Sequence, residues 1–328
     1  MRWEYVALAD RDGLVFEPQG LSDDALARLV EAKDRGGKLQ TLEGGRPWSG
    51  DPALLEGIDA AFGVVVDVTA SAETVPLLLR AVERGWGVVL ANKLPLAGPL
   101  NVFRTLTQSP RTRFETTVAA ALPVISTLRT FLLDTGDRVQ RIRGCVSGTL
   151  NLVCQRLEQG ERLSRIVREA RAHGHTEPDP REDLAGRDAA RKALILARLL
   201  GQPLELEDVA VEGLYPAEWD ALGVEEFLER LPELDARYLE LAEEARSRGR
   251  TLRYVIEVEA EAAEGRCRAR LESLAPEDEL LRPGVADSVV AFYTERYASG
   301  PLIVRGKGSG PELTASGVLA DLLLLGQG

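Results

Sequence analysis

The residues best suited to chemistry are concentrated in one stretch, His173-Gly174-His175-Thr176-Glu177-Pro178-Asp179-Pro180-Arg181-Glu182-Asp183-Leu184-Ala185-Gly186-Arg187-Asp188-Ala189-Ala190-Arg191-Lys192. It gathers carboxylates and a lysine around two prolines, which fix their own φ and restrict the residue before them, so the loop is stiff. Asp188 and Lys192 are four apart at the start of a helix expected to run to about Leu200, and their side chains share one face. Taken alone, such a pair is a surface ion pair worth roughly 0.3–0.5 kcal/mol. Its setting argues for more: a stiff acidic loop, an apolar run from Ala193 to Leu200, and a lysine in a chain whose lysines stand only at 33, 38, 93, 192 and 307. Lys33 and Lys38 lie in a polar stretch and read as solvated surface charges.

A second candidate is Asp67-Val68-Thr69-Ala70-Ser71, at the end of the strand-like run Val64 to Val68. Open α/β sheets place ligands at the carboxyl ends of parallel strands, where hydroxyls and backbone amides can face a phosphate or ribose. Ser and Thr there can equally be helix caps. Ala91-Asn92-Lys93 ends the next strand-like run, so both segments are expected to open onto one crevice. Gly306-Lys307-Gly308-Ser309-Gly310 imitates a dinucleotide fingerprint, but such a fingerprint opens a strand-helix-strand unit, and the helix after it closes the chain.

The elements that position these residues follow from hydrophobic periodicity. A strand is expected at Tyr5 to Ala9, ending at Asp10 with a turn at Asp12-Gly13, and a helix near Asp23 to Ala32. Strand Val64 to Val68, helix Glu73 to Arg84 and strand Gly87 to Ala91, then a helix near Leu100 to Gln108 and a strand near Arg113 to Val118, make the pattern of a parallel sheet with crossover helices. From about Leu122 the rhythm changes to a helix at Pro123 to Leu133, a strand near Arg138 to Cys145 and several helices. Runs at Leu252 to Ala260, Cys267 to Leu274, Val289 to Thr294 and Pro301 to Val304 predict a mostly antiparallel sheet. The apolar helix Leu313 to Leu325 is expected to pack back on the first lobe.

A chain of 328 residues, 45% apolar and 28% charged, is expected to form a soluble protein of two lobes. Its net charge of −12 disfavours nucleic acid and anionic membrane surfaces. Small-molecule partners fit better, and with no membrane-length apolar run or leader pattern the expected location is cytoplasmic. Cys145, Cys154 and Cys267 lack metal-site spacing and read as buried small hydrophobes. His173 and His175 read as structural loop residues.

Taken together, the Glu-Pro-Asp-Pro loop, the Asp-Leu-x-Gly-x-Asp step and the lysine four residues on resemble the substrate-site signature of homoserine dehydrogenases. Val66 to Ser71 with Ala91-Asn92-Lys93, Ser147-Gly148-Thr149-Leu150-Asn151, and Gly306 to Asp321 agree in order and spacing. The resemblance covers the chain from Tyr5 to the last helix. It implies an α/β protein with an incomplete Rossmann-type parallel sheet domain, residues 1–122 completed by 303–328, and an α+β substrate and dimerisation domain, residues 123–302. The implied reaction is NAD(P)-dependent interconversion of L-aspartate 4-semialdehyde and L-homoserine, in threonine and methionine biosynthesis, by a homodimer.

The resemblance also assigns roles. Glu177 and Asp188 would hold the substrate ammonium with Asp183 in support, Lys192 would donate the proton to the developing oxyanion, and Lys93 would be a second lysine near the nicotinamide. Cofactor contacts would come from Asp10, Arg11, Thr69, Ala70, Ser71, Asn92, Lys93 and Gly310. Asp10 would favour NAD through the ribose, whereas Arg11 could accept the 2′-phosphate of NADP. A monovalent cation, sodium, would be bound by the backbone carbonyls of Glu115, Val118, Ala120 and Leu122. Alanine stands at 119 and 121, where the family usually has glycine; if both positions need positive φ, each alanine costs about 1–2 kcal/mol. Relatives begin with a strand, a Gly-x-Gly-x-x-Gly turn and a helix that do not precede Tyr5, so the first strand here is expected to match the family's second. A noncatalytic dimerising or substrate-binding relative is the alternative reading. No regulatory domain is expected after Gly328.

Overall fold

In the computed structural model, residues 3–260, 266–281 and 288–327 are described. The chain is α/β and divides into two compact units. Unit 1 comprises Met1–Pro95, Asn101–Arg113 and Leu319–Gly328, and unit 2 comprises Leu96–Leu100 and Phe114–Val318. The division falls earlier than the expected 122/123, because the Glu115 carboxylate caps the first turn of the Val124–Ser126 helix through the N–H groups of Ile125 (2.7 Å) and Ser126 (2.9 Å). Residues 303–318 also belong to unit 2.

Unit 1 contains two small sheets. Strands β1 (Ala7–Asp10), β2 (Gly13–Phe16) and β3 (Gly45–Arg46) form an antiparallel sheet. The first strand is therefore not a member of the parallel sheet, contrary to expectation. Asp10 pairs with Gly13 across the two-residue Arg11-Asp12 turn, and so short a link joins only antiparallel neighbours. The parallel sheet contains β4 (Val64–Asp67), β5 (Gly87–Leu90) and β6 (Thr112–Arg113). The Val75–Glu83 helix links β4 to β5 and closes with bonds from Gly85 N to Val82 O and Trp86 N to Ala81 O, with Gly85 at φ 71°. The expected strand from Arg113 to Val118 stops at Arg113, and a short 3-10 turn, Glu115–Thr117, follows.

Unit 2 is built on the sheet β12-β11-β7-β9-β10-β8: β7 Val139–Cys145, β8 Ala210–Val211, β9 Thr251–Glu259, β10 Arg266–Leu274, β11 Ser288–Thr294 and β12 Leu302–Gly306. All neighbours are antiparallel except β10 and β8, as the alternating sequence pattern predicts. The Gly148–Glu158 helix buries Leu150, Val153, Cys154 and Leu157, one helical stripe, and packs against β9. The Arg187–Leu199 helix is buried without a break from Ala193 to Arg198 and packs on β9 and β10. The expected helix to Leu133 is present, but over Thr127–Leu133 it widens to π geometry. Cys145, Cys154 and Cys267 are free and buried, and desolvation pushes their thiols up to about 12.

Gly186 fixes where the Arg187–Leu199 helix starts. Its φ is +71°, and a Cβ there would meet the Tyr254 hydroxyl at 2.0 Å. Gly186→Ala is expected to destabilise the chain by about 2–4 kcal/mol, the sum of left-handed strain and overpacking; urea denaturation with an unchanged slope and a lowered midpoint checks this.

Candidate active site

At the carboxyl ends of β4 and β5, the side chain of Asp67 is buried, 3% exposed, and must be satisfied by donors. It accepts from Thr69 N (2.9 Å), the Thr74 hydroxyl (2.7 Å) and Asn92 Nδ2 (3.0 Å). Asn92 also donates to Ser71 O (2.7 Å) and accepts from Leu94 N (3.0 Å). The loop after β4 and the start of the segment after β5 are thereby tied into one knot. Thr69 Oγ1 accepts from Ser71 N (3.2 Å), and Ser71 Oγ from Glu73 N (3.1 Å), so both hydroxyls shape the loop itself. Ala70 lies exposed at its crest, and half-buried Lys93 follows Asn92 directly. Sequence reasoning misses Thr74, and within the candidate segment it gives no role to Asp67, whose signal is a carboxylate that ends an apolar strand.

Asp10 and Arg11 sit at the β1–β2 turn. The Asp10 carboxylate accepts from Asp12 N (2.7 Å) and pairs with Lys33 at 2.5 Å. Lys33 is therefore an ion-pair partner rather than a merely solvated charge. The carboxyl of Asp10 is shifted, with desolvation pushing it up but outweighed by the Lys33 and backbone hydrogen bonds, to a value below the usual range. The Arg11 side chain is 93% exposed.

In unit 2 the structure brings together Glu177, Asp183, Asp188 and Lys192. The ammonium of Lys192, whose side chain is 11% exposed, lies 2.6 Å from Asp188 and donates to Val146 O at 2.7 Å. Asp183 accepts from Glu177 N at 2.9 Å. Desolvation pushes the Asp183 carboxyl above its ordinary range; the Glu177 amide and the Thr149 hydroxyl oppose this, while the charges of Glu177 and Asp188 add to it. His175 O, 2.8 Å away, competes with Asp183 for the single proton of the Thr149 hydroxyl, and Ser147 caps its own helix by accepting from Leu150 N at 3.3 Å. His173 Nδ1 lies 2.7 Å from Glu169 O and finishes the preceding helix, a structural role. Asp188 pairs with Lys192, and the charges of Glu177 and Asp188 both act on Asp183, an excess of negative charge that suits a cationic ligand group.

The remaining candidates fall at turns. Ala119 and Ala120 have φ of 62° and 50°, so the second left-handed residue is Ala120 and not the expected Ala121. The carbonyls of Glu115 and Leu122 accept from Val118 N (3.4 Å) and Val124 N (2.7 Å). Desolvation raises the Glu115 carboxyl despite its helix-capping bonds. Gly310 begins the Pro311–Leu325 helix at φ 112°. The strand before it, β12, is antiparallel to β11, in keeping with a glycine turn rather than a dinucleotide fingerprint. The same turn packs closely: a Cβ on Gly308 would meet Ser288 at 2.3 Å, and one on Gly148 would meet Ser309 at 3.2 Å. Ser309 thus lies beside the Ser147-Gly148-Thr149 motif, a neighbourhood that spacing alone does not reveal.

A family model described as homoserine dehydrogenase matches residues 123–323, the part of the chain that holds this cluster. The chain belongs to the homoserine dehydrogenase family. The homoserine dehydrogenase of Emericella nidulans is 38% identical over 279 residues, covering 79% of this chain and 74% of that one. The chloroplastic bifunctional aspartokinase/homoserine dehydrogenase 1 of Arabidopsis thaliana is 41% identical over 268 residues, 80% of this chain. The match spans only 29% of the Arabidopsis protein's length. A hyperthermophilic archaeal homoserine dehydrogenase, solved in complex with NADPH, shares the fold at a TM-score of 0.73 and 24% identity, covering 98% of this chain and 88% of that one.

Asp183 carries a stability cost. A carboxyl whose folded-state pKa is raised favours the fold below its unfolded value, and that contribution is lost as pH rises through the folded value. Asp183→Asn removes the ionisation yet keeps an acceptor for Glu177 N. Its melting temperature is expected to equal or exceed that of the unsubstituted protein at pH 7, with a gap that narrows toward pH 4; scanning calorimetry across that range checks the sign.

Proposed function

We propose that this chain interconverts L-aspartate 4-semialdehyde and L-homoserine with NADPH or NADH, the step that leads toward threonine and methionine. The observation that carries this reading is the single ammonium of Lys192, held between Val146 O and Asp188 beside Glu177 and Asp183. The carboxylates Glu177 and Asp188 hold the substrate's ammonium, with Asp183 behind them. In the reducing direction the aldehyde oxygen gains negative charge, and Lys192 stabilises it and delivers the proton. The nicotinamide supplies the hydride when bound.

The residues of unit 1 fit a nucleotide through the exposed crest Thr69-Ala70-Ser71 at the carboxyl end of β4 and through Asn92 and Lys93 after β5. Gly310 is assigned to the nicotinamide end. At the adenosine end, Asp10 is engaged by Lys33 while Arg11 is 93% exposed with a 3.8 Å pair to Asp12, an arrangement suited to a 2′-phosphate; NADP is thus the favoured coenzyme, as the NADPH-bound archaeal relative also suggests. The turn at Ala119 and Ala120 is the proposed place for a sodium ion, through the carbonyls of Glu115, Val118, Ala120 and Leu122. Among the described residues no helix is long and apolar enough to cross a membrane, and a cytoplasmic location is proposed.

A homodimer is proposed through the face of the unit 2 sheet opposite Tyr254. That face carries a cross-strand ladder of charge: Glu257 pairs with Arg268 at 2.5 Å and Arg141 at 3.8 Å, and Arg143 with Glu272 at 3.0 Å and Asp278 at 2.9 Å. Light scattering is expected to give twice the chain mass; a monomer at micromolar concentration would overturn the pairing.

The catalytic reading is tested by NADPH fluorescence titration together with turnover of L-homoserine. Lys192→Ala is expected to lower kcat by about 10²–10⁴-fold with cofactor affinity unchanged. Cofactor or substrate binding without turnover in the unsubstituted chain would favour a noncatalytic binding protein instead.

A further inference from the structure

The loop from Glu177 to Asp183 must hold two carboxylates close together against their mutual repulsion and against the desolvation of Asp183. Within the loop, Glu177 N donates to the Asp183 carboxylate and Glu182 N to Asp179 O. On the loop's other side, Arg181 is 13% exposed and engages several acceptors at once. Its Nε and Nη2 grip Asp179 at 2.9 and 2.6 Å. Its Nη1 reaches the carbonyls of Asp220 (3.2 Å) and Leu222 at the end of the Ala217–Ala221 turn. The guanidinium also lies over the Phe227 ring, 5.9 Å from its centre. Asp179 accepts from Arg181 N at 3.1 Å as well, so it starts the Arg181–Leu184 helix that carries Asp183.

Two further links run in parallel. Arg171 donates to Pro178 O at 3.1 Å and pairs with Glu225 at 3.0 Å. Leu214 N donates to Leu184 O at 2.8 Å. The more exposed pairs of Arg187 with Glu182 (3.1 Å) and Asp220 (2.9 Å) contribute little by themselves. The bidentate, mostly buried grip of Arg181 is the strongest member of the set, because a planar fork fixes direction as well as distance.

We propose that Arg181 is a positioning residue: it braces the Glu177–Asp183 loop against residues 220–227, so that the carboxylates stay aimed at the substrate's ammonium group. The proposal rests on the reading that Glu177, Asp183 and Asp188 bind that group. Arg181 itself touches neither substrate nor cofactor in this scheme. Its loss therefore acts on amino-acid affinity, whereas the Lys192 proton step and cofactor binding are spared.

The test is steady-state kinetics on the full chain with L-homoserine and NADP, paired with amide hydrogen exchange. Arg181→Gln is expected to raise the homoserine KM about tenfold, with kcat changed less than about threefold and the NADP KM unchanged. Amides of residues 177–188 should exchange faster while those of β7 and β9 keep their protection, and Arg181→Lys should recover part of the affinity. Asp179→Asn breaks the same grip from the other side and is expected to reproduce the selective rise, which keeps the test decisive if Arg181→Gln does not fold. An unchanged homoserine KM in both variants overturns the proposal. So does a rise in both KM values with exchange spreading into β7 and β9, which marks a general fold residue. If the unsubstituted chain does not turn over homoserine, the functional reading fails separately. Exchange then decides alone: acceleration confined to 177–188 supports the brace, and no change overturns it.

Discussion

The ammonium of Lys192 joins two parts of unit 2: the chain leaving β7 at Val146 and the first turn of the Arg187–Leu199 helix at Asp188, directly after the acidic loop. A mostly buried charge tolerates this position only if its donors are matched. Matching them requires that β7 and the helix start hold a fixed register. Gly186 enforces the register from below, since only a residue without a Cβ fits under the Tyr254 hydroxyl with that φ. The same arrangement concentrates more negative than positive charge at the site. Asp183, buried beside the charges of Glu177 and Asp188, bears the electrostatic cost.

Much of this was legible in the sequence because it depends on local spacing. The four-residue step from Asp188 to Lys192 puts both on one helical face, and the two prolines mark a stiff loop. The alternating runs from Leu252 onward give the antiparallel sheet, and the strand-helix-strand rhythm from Val64 to Leu90 gives the parallel one. What escaped depends on pairing between distant segments. Asp67, Thr74 and Asn92 form a knot only once β4 and β5 lie side by side. The approach of Ser309 to Gly148 spans most of unit 2 in sequence. A short apolar run has the same pattern in either sheet type, so Ala7–Asp10 is distinguished only by its two-residue Arg11-Asp12 link to β2.

The two units rest on different kinds of constraint. In unit 1, a buried carboxylate collects backbone and side-chain donors and so shapes a loop whose crest stays open. In unit 2, paired charges of both signs hold a loop rigid against its own repulsion. Both place backbone geometry under the control of a few polar side chains whose partners come from separate elements. A change at Thr74 or Arg181 therefore reaches its loop through the hydrogen bonds that hold it.

The three cysteines have a use of a different kind. All are buried, and their thiols ionise only near pH 12, so the thiolate that reacts with alkylating reagents is nearly absent in the closed fold. Any labelling at neutral pH must pass through a local opening that admits water. Cys145 ends β7, Cys154 lies in the Gly148–Glu158 helix and Cys267 lies in β10. The chain thus carries three built-in clocks for the breathing of unit 2, each ticking at the rate at which its own element opens.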